Sequence, residues 1–356
     1  MLMELNTFAY AAAAVFLASA FLVITGCALL GWPIPLLPPR RNRFVPWGGI
    51  EVLVVFSAVE VLIPLILAQL LQSSGLFHWL YDITGGNFGA QFSGDQDKEF
   101  RHLAIWETFL GFPFKVFLVA VLLHTSCDFR PYQLGFTKCR LWQMAALGWL
   151  AWLVWGLPCD LFHLLMSSGY ARLFPQPPDV HAIAKIALEN PSRFEWFLLI
   201  SSAVVVAPVV EEFLFRGLLL RWLIAKPSGA LATYGISLAL AAMAITNRLD
   251  RAMDWLGVLN AAAPLLFVLL VICAAEALAW LKRDARACIR WRAILTSSLL
   301  FAIAHANVWP SPIALFVLAI CLAWMACRTQ SIIPCIVAHA LFNSVACVEL
   351  VMGTTS

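Results

Sequence analysis

Apolar residues dominate this chain in long stretches separated by short clusters of charge. The pattern places membrane spans near residues 8 to 32, 50 to 72, 104 to 124, 141 to 166, 195 to 223, 229 to 246, 256 to 281, 292 to 308, 312 to 327 and 333 to 351. About 20 apolar residues in a helix cross the hydrocarbon core, and a helix satisfies every backbone polar group without water. The expected fold is therefore all-α, a polytopic transmembrane helix bundle of about ten spans. The segment from Phe8 to Trp32 is too long for a signal-peptide core and follows Glu4 instead of a basic cluster, so it reads as a retained helix. Pro33 to Pro46 reads as an interfacial linker, and Ser167 to Arg193 as a loop containing one short amphipathic helix.

Composition strengthens this picture. Of 356 residues, 62% are hydrophobic and 12% charged, which is outside the range of soluble domains. Charge distribution then orients the spans. Arg40, Arg41 and Arg43 follow the first; Arg130, Lys138 and Arg140 the third; Arg221 and Lys226 close the fifth; Lys282, Arg283, Arg286, Arg290 and Arg292 follow the seventh; Arg328 follows the ninth. Acidic or mixed charge occupies the alternate loops, with Asp95, Asp97 and Glu99 after the second span and Asp250, Arg251 and Asp254 after the sixth. Loops rich in lysine and arginine stay in the cytoplasm, so both termini are expected outside. The ten cysteines form no disulfide framework, and Cys127 and Cys139, flanking one basic loop without a CxxC spacing, read as ordinary thiols. With no P-loop and no GxGxxG, nothing points to nucleotide or nucleic-acid partners. The chain is expected to be an integral, multi-pass membrane protein, located in the plasma (inner) membrane if bacterial.

Candidate chemistry sits in three spans. Glu211 and Glu212 lie inside the apolar run from Phe194 to Leu223, and each intramembrane carboxylate costs about 2.5 to 3.5 kcal/mol on insertion scales, so the pair marks a functional site. Arg216 stands four residues after Glu212, on the same face of an α-helix, while Glu211 is rotated by about 100°. In the eighth span Phe301 precedes His305 by four residues; in the tenth, His339 precedes Asn343 by four. At ~1.5 Å per residue, Glu211 lies ~15 Å from Arg221, His305 ~20 Å from Arg292 and His339 ~12 Å from Ser331, so the three groups reach comparable depths. A carboxylate, two imidazoles and an amide suffice to activate a water and stabilise an oxyanion, the two demands of peptide hydrolysis.

Glu211-Glu212-x-x-x-Arg216, Phe301-x-x-x-His305 and His339-x-x-x-Asn343, in that order, resemble the three motifs of the CAAX protease and bacteriocin-processing family of intramembrane endopeptidases. That family includes the Ras-converting CAAX prenyl proteases and lysostaphin-resistance-type proteins. The resemblance extends to Gly217, to the serines before Phe301 and to Pro334, and covers about Phe194 to Cys347. It implies that Glu211 and His305 activate the attacking water, that Glu212 and Arg216 support Glu211, and that His339 and Asn343 bind the oxyanion. No cofactor is required by this scheme. Zinc is the alternative, with Glu211, His305 and His339 as ligands, although the HExxH pair that sets two ligands on one helical face is missing.

Family members usually place the second motif a few dozen residues after the first, whereas here two further apolar segments occupy about 228 to 281. The division expected is thus an N-terminal transmembrane region, 1–193, and a catalytic transmembrane region, 194–351, with an eight-helix core plus this inserted helical pair. The implied partners are the lipid bilayer and a membrane-associated protein or peptide as substrate. Two other classes compete: a non-catalytic scaffold or bacteriocin self-immunity protein, and a proton-coupled transporter. The first has no need of both glutamates and Asn343, and internal repeats typical of the second are not evident. Singly, the Glu–Arg pair reads as helix-packing charge, His305 as an interior histidine, and His339 with Asn343 as interhelical polar glue. Glu51, Glu60, Glu107, Lys115, Asp160, His163 and Glu276 receive no role.

Overall fold

The computed structural model describes residues 45–92, 94–136, 141–174, 179, 181–249, 255–281 and 285–355. The first expected span, most of the linker from Pro33, and Arg40, Arg41, Arg43, Lys138, Cys139, Arg140, Asp250, Arg251, Asp254, Lys282 and Arg283 lie outside the described residues. Helices α1 (Gly49–Ser73), α2 (Leu76–Ile83), α3 (Phe88–Phe92), α4 (Gln96–Cys127), α5 (Leu141–Leu173), α6 (Ala182–Leu188), α7 (Arg193–Ala225), α8 (Gly229–Leu249), α9 (Trp255–Leu281), α10 (Ala285–Ala304), α11 (Ser311–Thr329) and α12 (Ile333–Thr355) follow in order, with no strand among the described residues. Nine of these helices are long and apolar enough to cross a bilayer, one for each span expected from the second onwards. The chain is an integral, multi-pass membrane protein.

Differences from expectation fall at the ends and inside the helices. Helix α4 starts at Gln96 because Asp95 caps it, accepting from the Lys98 amide at 3.0 Å, so its first two turns are polar. Helices α2 and α3 fill a stretch where only a loop was expected, whereas the short helix expected between α5 and α7 is present as α6. Helices α1, α5 and α7 each contain a π-helical turn, at Ala58–Leu62, Trp152–Gly156 and Ser202–Val206. Each turn ends two residues before a proline, Pro64, Pro158 and Pro208. A proline ring clashes with the preceding turn of an α-helix and lacks an N–H, and a wider turn accommodates the ring. In each case the residue before the proline donates five residues back, to Ala58, Trp152 or Ser202. The next carbonyl, at Val59, Leu153 or Ala203, would have the proline as its donor and so receives no helical hydrogen bond.

The chain divides into two compact units, each drawn from separate stretches. One comprises Pro131–Asp179 and Phe215–Phe342 among its described parts. Here α8, α9 and α10 pack mutually, α11 packs on α10, and α5 on α11. Helix α10 is the central element, buried on every side from Thr296 to Ile303. Gly148 of α5 lets the first turn of α12 approach: a Cβ there would stand 2.6 Å from the Pro334 carbonyl. Glu276 of α9 accepts from Tyr234 of α8 at 2.8 Å and from Arg292 of α10 at 2.6 Å, tying α8 and α9 to α10.

The other unit comprises Pro46–Arg130, Val180–Leu214 and Asn343–Ser356. Its core is aromatic, with Phe77 edge-on to Tyr81, Phe88 and Trp106. A buried polar network lies beside this core. His102 meets Glu195 at 2.7 Å through Nδ1 and stands 3.2 Å from Glu189 through Nε2, a charge-pairing distance off the hydrogen-bond direction, and Arg101 holds Glu189 at 2.5 Å. Burial, and then the adjacent Glu195 carboxylate, push the Tyr81 phenol above its ordinary value of 10.0. In α4, Lys115 Nζ reaches Glu107 at 3.6 Å across Gly111, pairing two of the intramembrane charges left without a role.

Candidate active site

Phe301 is the hub of the first unit's polar centre. Its ring is wholly buried on α10, and the Arg216 guanidinium lies 4.6 Å from the ring centroid. Cation–π contact is worth about 2 kcal/mol or more when desolvated, enough to matter for a cation only 1% exposed. The His305 and His339 rings approach Phe301 with centroids at 5.1 and 5.8 Å, and Phe215 meets it edge-on at 5.1 Å. One arginine and two histidines from the three motifs thus share a single aromatic ring. Arg216 Nη2 also donates to the Ala319 carbonyl on α11 at 3.3 Å, a partner that no local spacing could reveal.

His305 is placed differently from the sequence expectation. The eighth span was expected to carry it to residue 308, but α10 ends at Ala304, and His305 has φ −98° and ψ 19° as the first residue beyond the helix. Its Nδ1 lies 2.9 Å from the Phe301 carbonyl. A carbonyl only accepts, so Nδ1 carries the hydrogen and the neutral ring keeps its lone pair on Nε2, the arrangement a general base requires. The chain then makes a 3₁₀ turn at Ala306–Val308 before α11. His339, six residues into α12, is 3% exposed.

The carboxylates lie on the Val180–Leu214 stretch of the second unit. Glu211 and Glu212 end an α-helical turn, Ala207–Glu212, with Glu212 fully buried and Glu211 half-buried. Phe213–Leu219 is π-helical, so the segment leading to Arg216 is not the α-helical turn that the four-residue spacing implied. No proline follows this π turn closely, unlike the other three, and π turns frequently mark functional sites.

Asn343 shows a contact that the sequence did not suggest. Its Nδ2 donates to the Ala203 carbonyl at 2.8 Å. That carbonyl is the one deprived of a helical donor by Pro208, so Asn343 repairs the gap and joins α12 to the glutamate-bearing stretch of α7. Nδ2 carries two hydrogens, and this bond uses one. Among the described residues, no group of three or more His, Cys, Asp and Glu side chains is placed to hold a metal ion.

No curated protein and no solved structure matches the chain. Two overlapping stretches, 193–283 and 265–345, match a family model and together span a little under half of the chain, including all six candidate residues. Over this C-terminal region the chain is similar to the family described as type II CAAX prenyl endopeptidase Rce1-like.

Proposed function

We propose that this protein is an intramembrane endopeptidase of the CAAX type, hydrolysing a peptide bond near the C-terminus or membrane-proximal part of a membrane-associated protein or peptide. The observation that carries this reading is the gathering of Arg216, His305 and His339 on Phe301, within a region similar to a prenyl-endopeptidase family. Structural polar glue would not need an arginine and two histidines gathered on one aromatic ring.

In the proposed reaction Glu211 and His305 take the proton of a water as it attacks the scissile carbonyl. Glu212 and Arg216 support Glu211. His339 and the second Nδ2 hydrogen of Asn343 donate to the developing oxyanion, and the proton passes to the leaving amine as the C–N bond breaks. We infer that the residues act on water directly, without a resident metal. The donors come from separate helices without a local chelating pair, and an amide such as Asn343 suits an oxyanion better than zinc.

Purified protein in proteoliposomes, incubated with a farnesylated peptide ending in a CAAX sequence and with unprenylated membrane-anchored peptides, tests the reading by mass spectrometry of the products. Cleavage by the wild type and none by Glu211→Gln is expected. Solute flux across the vesicles without cleavage of any peptide would instead favour the transporter class.

A further inference from the structure

Because His305 lies beyond the end of α10, its position depends on the turn that follows it, and that turn is held by residues far away in sequence. The Trp309 carbonyl accepts from the Asp179 amide at 3.2 Å. The Asp179 carboxylate forms an ion pair with Arg248, in the last turn of α8, and the Arg248 guanidinium also lies 5.9 Å from the centroid of the Trp309 ring. Phe267 of α9 packs edge-on against the same indole at 6.1 Å. Farther along, His163 Nε2 meets the Ser311 hydroxyl at 2.8 Å. Arg248 and Phe267 belong to the two helices, α8 and α9, that make up the inserted pair.

We propose that Arg248 and Asp179 are positioning residues: their ion pair fixes Trp309, Trp309 fixes the 306–308 turn, and the turn fixes the His305 ring. The inserted helical pair then has a task in the reaction, the clamping of the loop that carries the general base. A bare snorkelling arginine at a helix end would need neither the aspartate nor the indole. The backbone bonds of the turn do a different job. Inside it, Val308 donates to the His305 carbonyl at 3.0 Å and His305 donates to Ala302 at 3.0 Å, which closes the turn but does not orient it against the neighbouring helices.

The catalytic part of this inference rests on the endopeptidase reading, whereas the clamp itself does not, and two measurements keep them apart. Hydrogen–deuterium exchange of the peptide containing residues 305–311 is expected to quicken by about tenfold or more in Arg248→Gln, with peptides from α10 and α11 unchanged. Turnover of the farnesylated CAAX peptide is expected to fall by about 10- to 100-fold in kcat with KM unchanged, the scale of a small misplacement of a catalytic group. The reversed pair, Asp179→Arg with Arg248→Asp, should recover most of both effects. Unchanged exchange at 305–311 in Arg248→Gln overturns the clamp, as does a loss of turnover expressed only in KM. Altered exchange with a wild type that cleaves nothing supports the clamp and counts against the endopeptidase reading. Should Arg248→Gln fail to accumulate, Asp179→Asn removes the same ion pair and is held to the same outcomes.

Discussion

At the residue scale, Asn343 has two tasks that can be separated. One Nδ2 hydrogen satisfies the Ala203 carbonyl; the other is proposed to bind the oxyanion. Interhelical side-chain bonds in membranes average about 0.6 kcal/mol, so Asn343→Ala should remain folded, with little change in thermal midpoint. Loss of an oxyanion donor typically lowers kcat by about 10²- to 10³-fold, so kcat of Asn343→Ala should fall by that factor with substrate binding retained. Steady-state kinetics on the proteoliposomes check this, and weaker binding with unchanged kcat would make Asn343 a substrate-positioning residue. Tyr81 gives a pH prediction of known sign. Its phenol is pushed above 10.0 by burial and then by Glu195, so the folded state holds the proton more tightly. The resulting stabilisation is fully present below pH 10 and is lost as pH rises from there towards the folded-state value. Thermal melts in detergent between pH 8 and 11 should show a steeper decline for the wild type than for Tyr81→Phe.

At the element scale, the link between proline and π turn makes the Asn343 argument testable in reverse. Pro208→Ala supplies an N–H where the Ala203 carbonyl lacks one, so the double variant Pro208→Ala/Asn343→Ala should regain any stability lost in Asn343→Ala while turnover stays low. Recovery of turnover in the double variant would show that Asn343 acts only through the helix. These turns also show where sequence reading reaches its limit. Lipid demands long apolar helices, so the spans from 50 to 351 were legible from hydropathy, the starts of α8 at 229 and α12 at 333 to the residue. Hydropathy does not register capping: Asp95 extended α4 eight residues upstream of the expected start. It does not register helical pitch either, so the π turn between Glu212 and Arg216 and the end of α10 before His305 were invisible to a four-residue spacing rule. The candidate residues themselves were legible because polar and charged groups inside an apolar run are costly, whereas their partners Ala319 and Ala203 are distant in sequence and chemically ordinary.

At the scale of the whole molecule, the chain is a multi-pass membrane protein whose C-terminal region resembles a prenyl-endopeptidase family, and its proposed activity depends on water activated by Glu211 and His305. Direct activation predicts that activity survives exhaustive chelation and that elemental analysis finds no stoichiometric zinc. Activity abolished by chelation and restored by zinc would replace this scheme with a three-ligand site formed by Glu211, His305 and His339. Zinc would then polarise the scissile carbonyl or lower the pKa of a bound water. The most direct test of the central claim is a comparison of wild-type and Glu211→Gln proteoliposomes, equal in protein content and melting behaviour, each incubated with the same membrane-anchored peptides and read by mass spectrometry of peptide termini. Water activation by Glu211 requires new termini at defined bonds with the wild type and none with Glu211→Gln; identical termini in both rule it out.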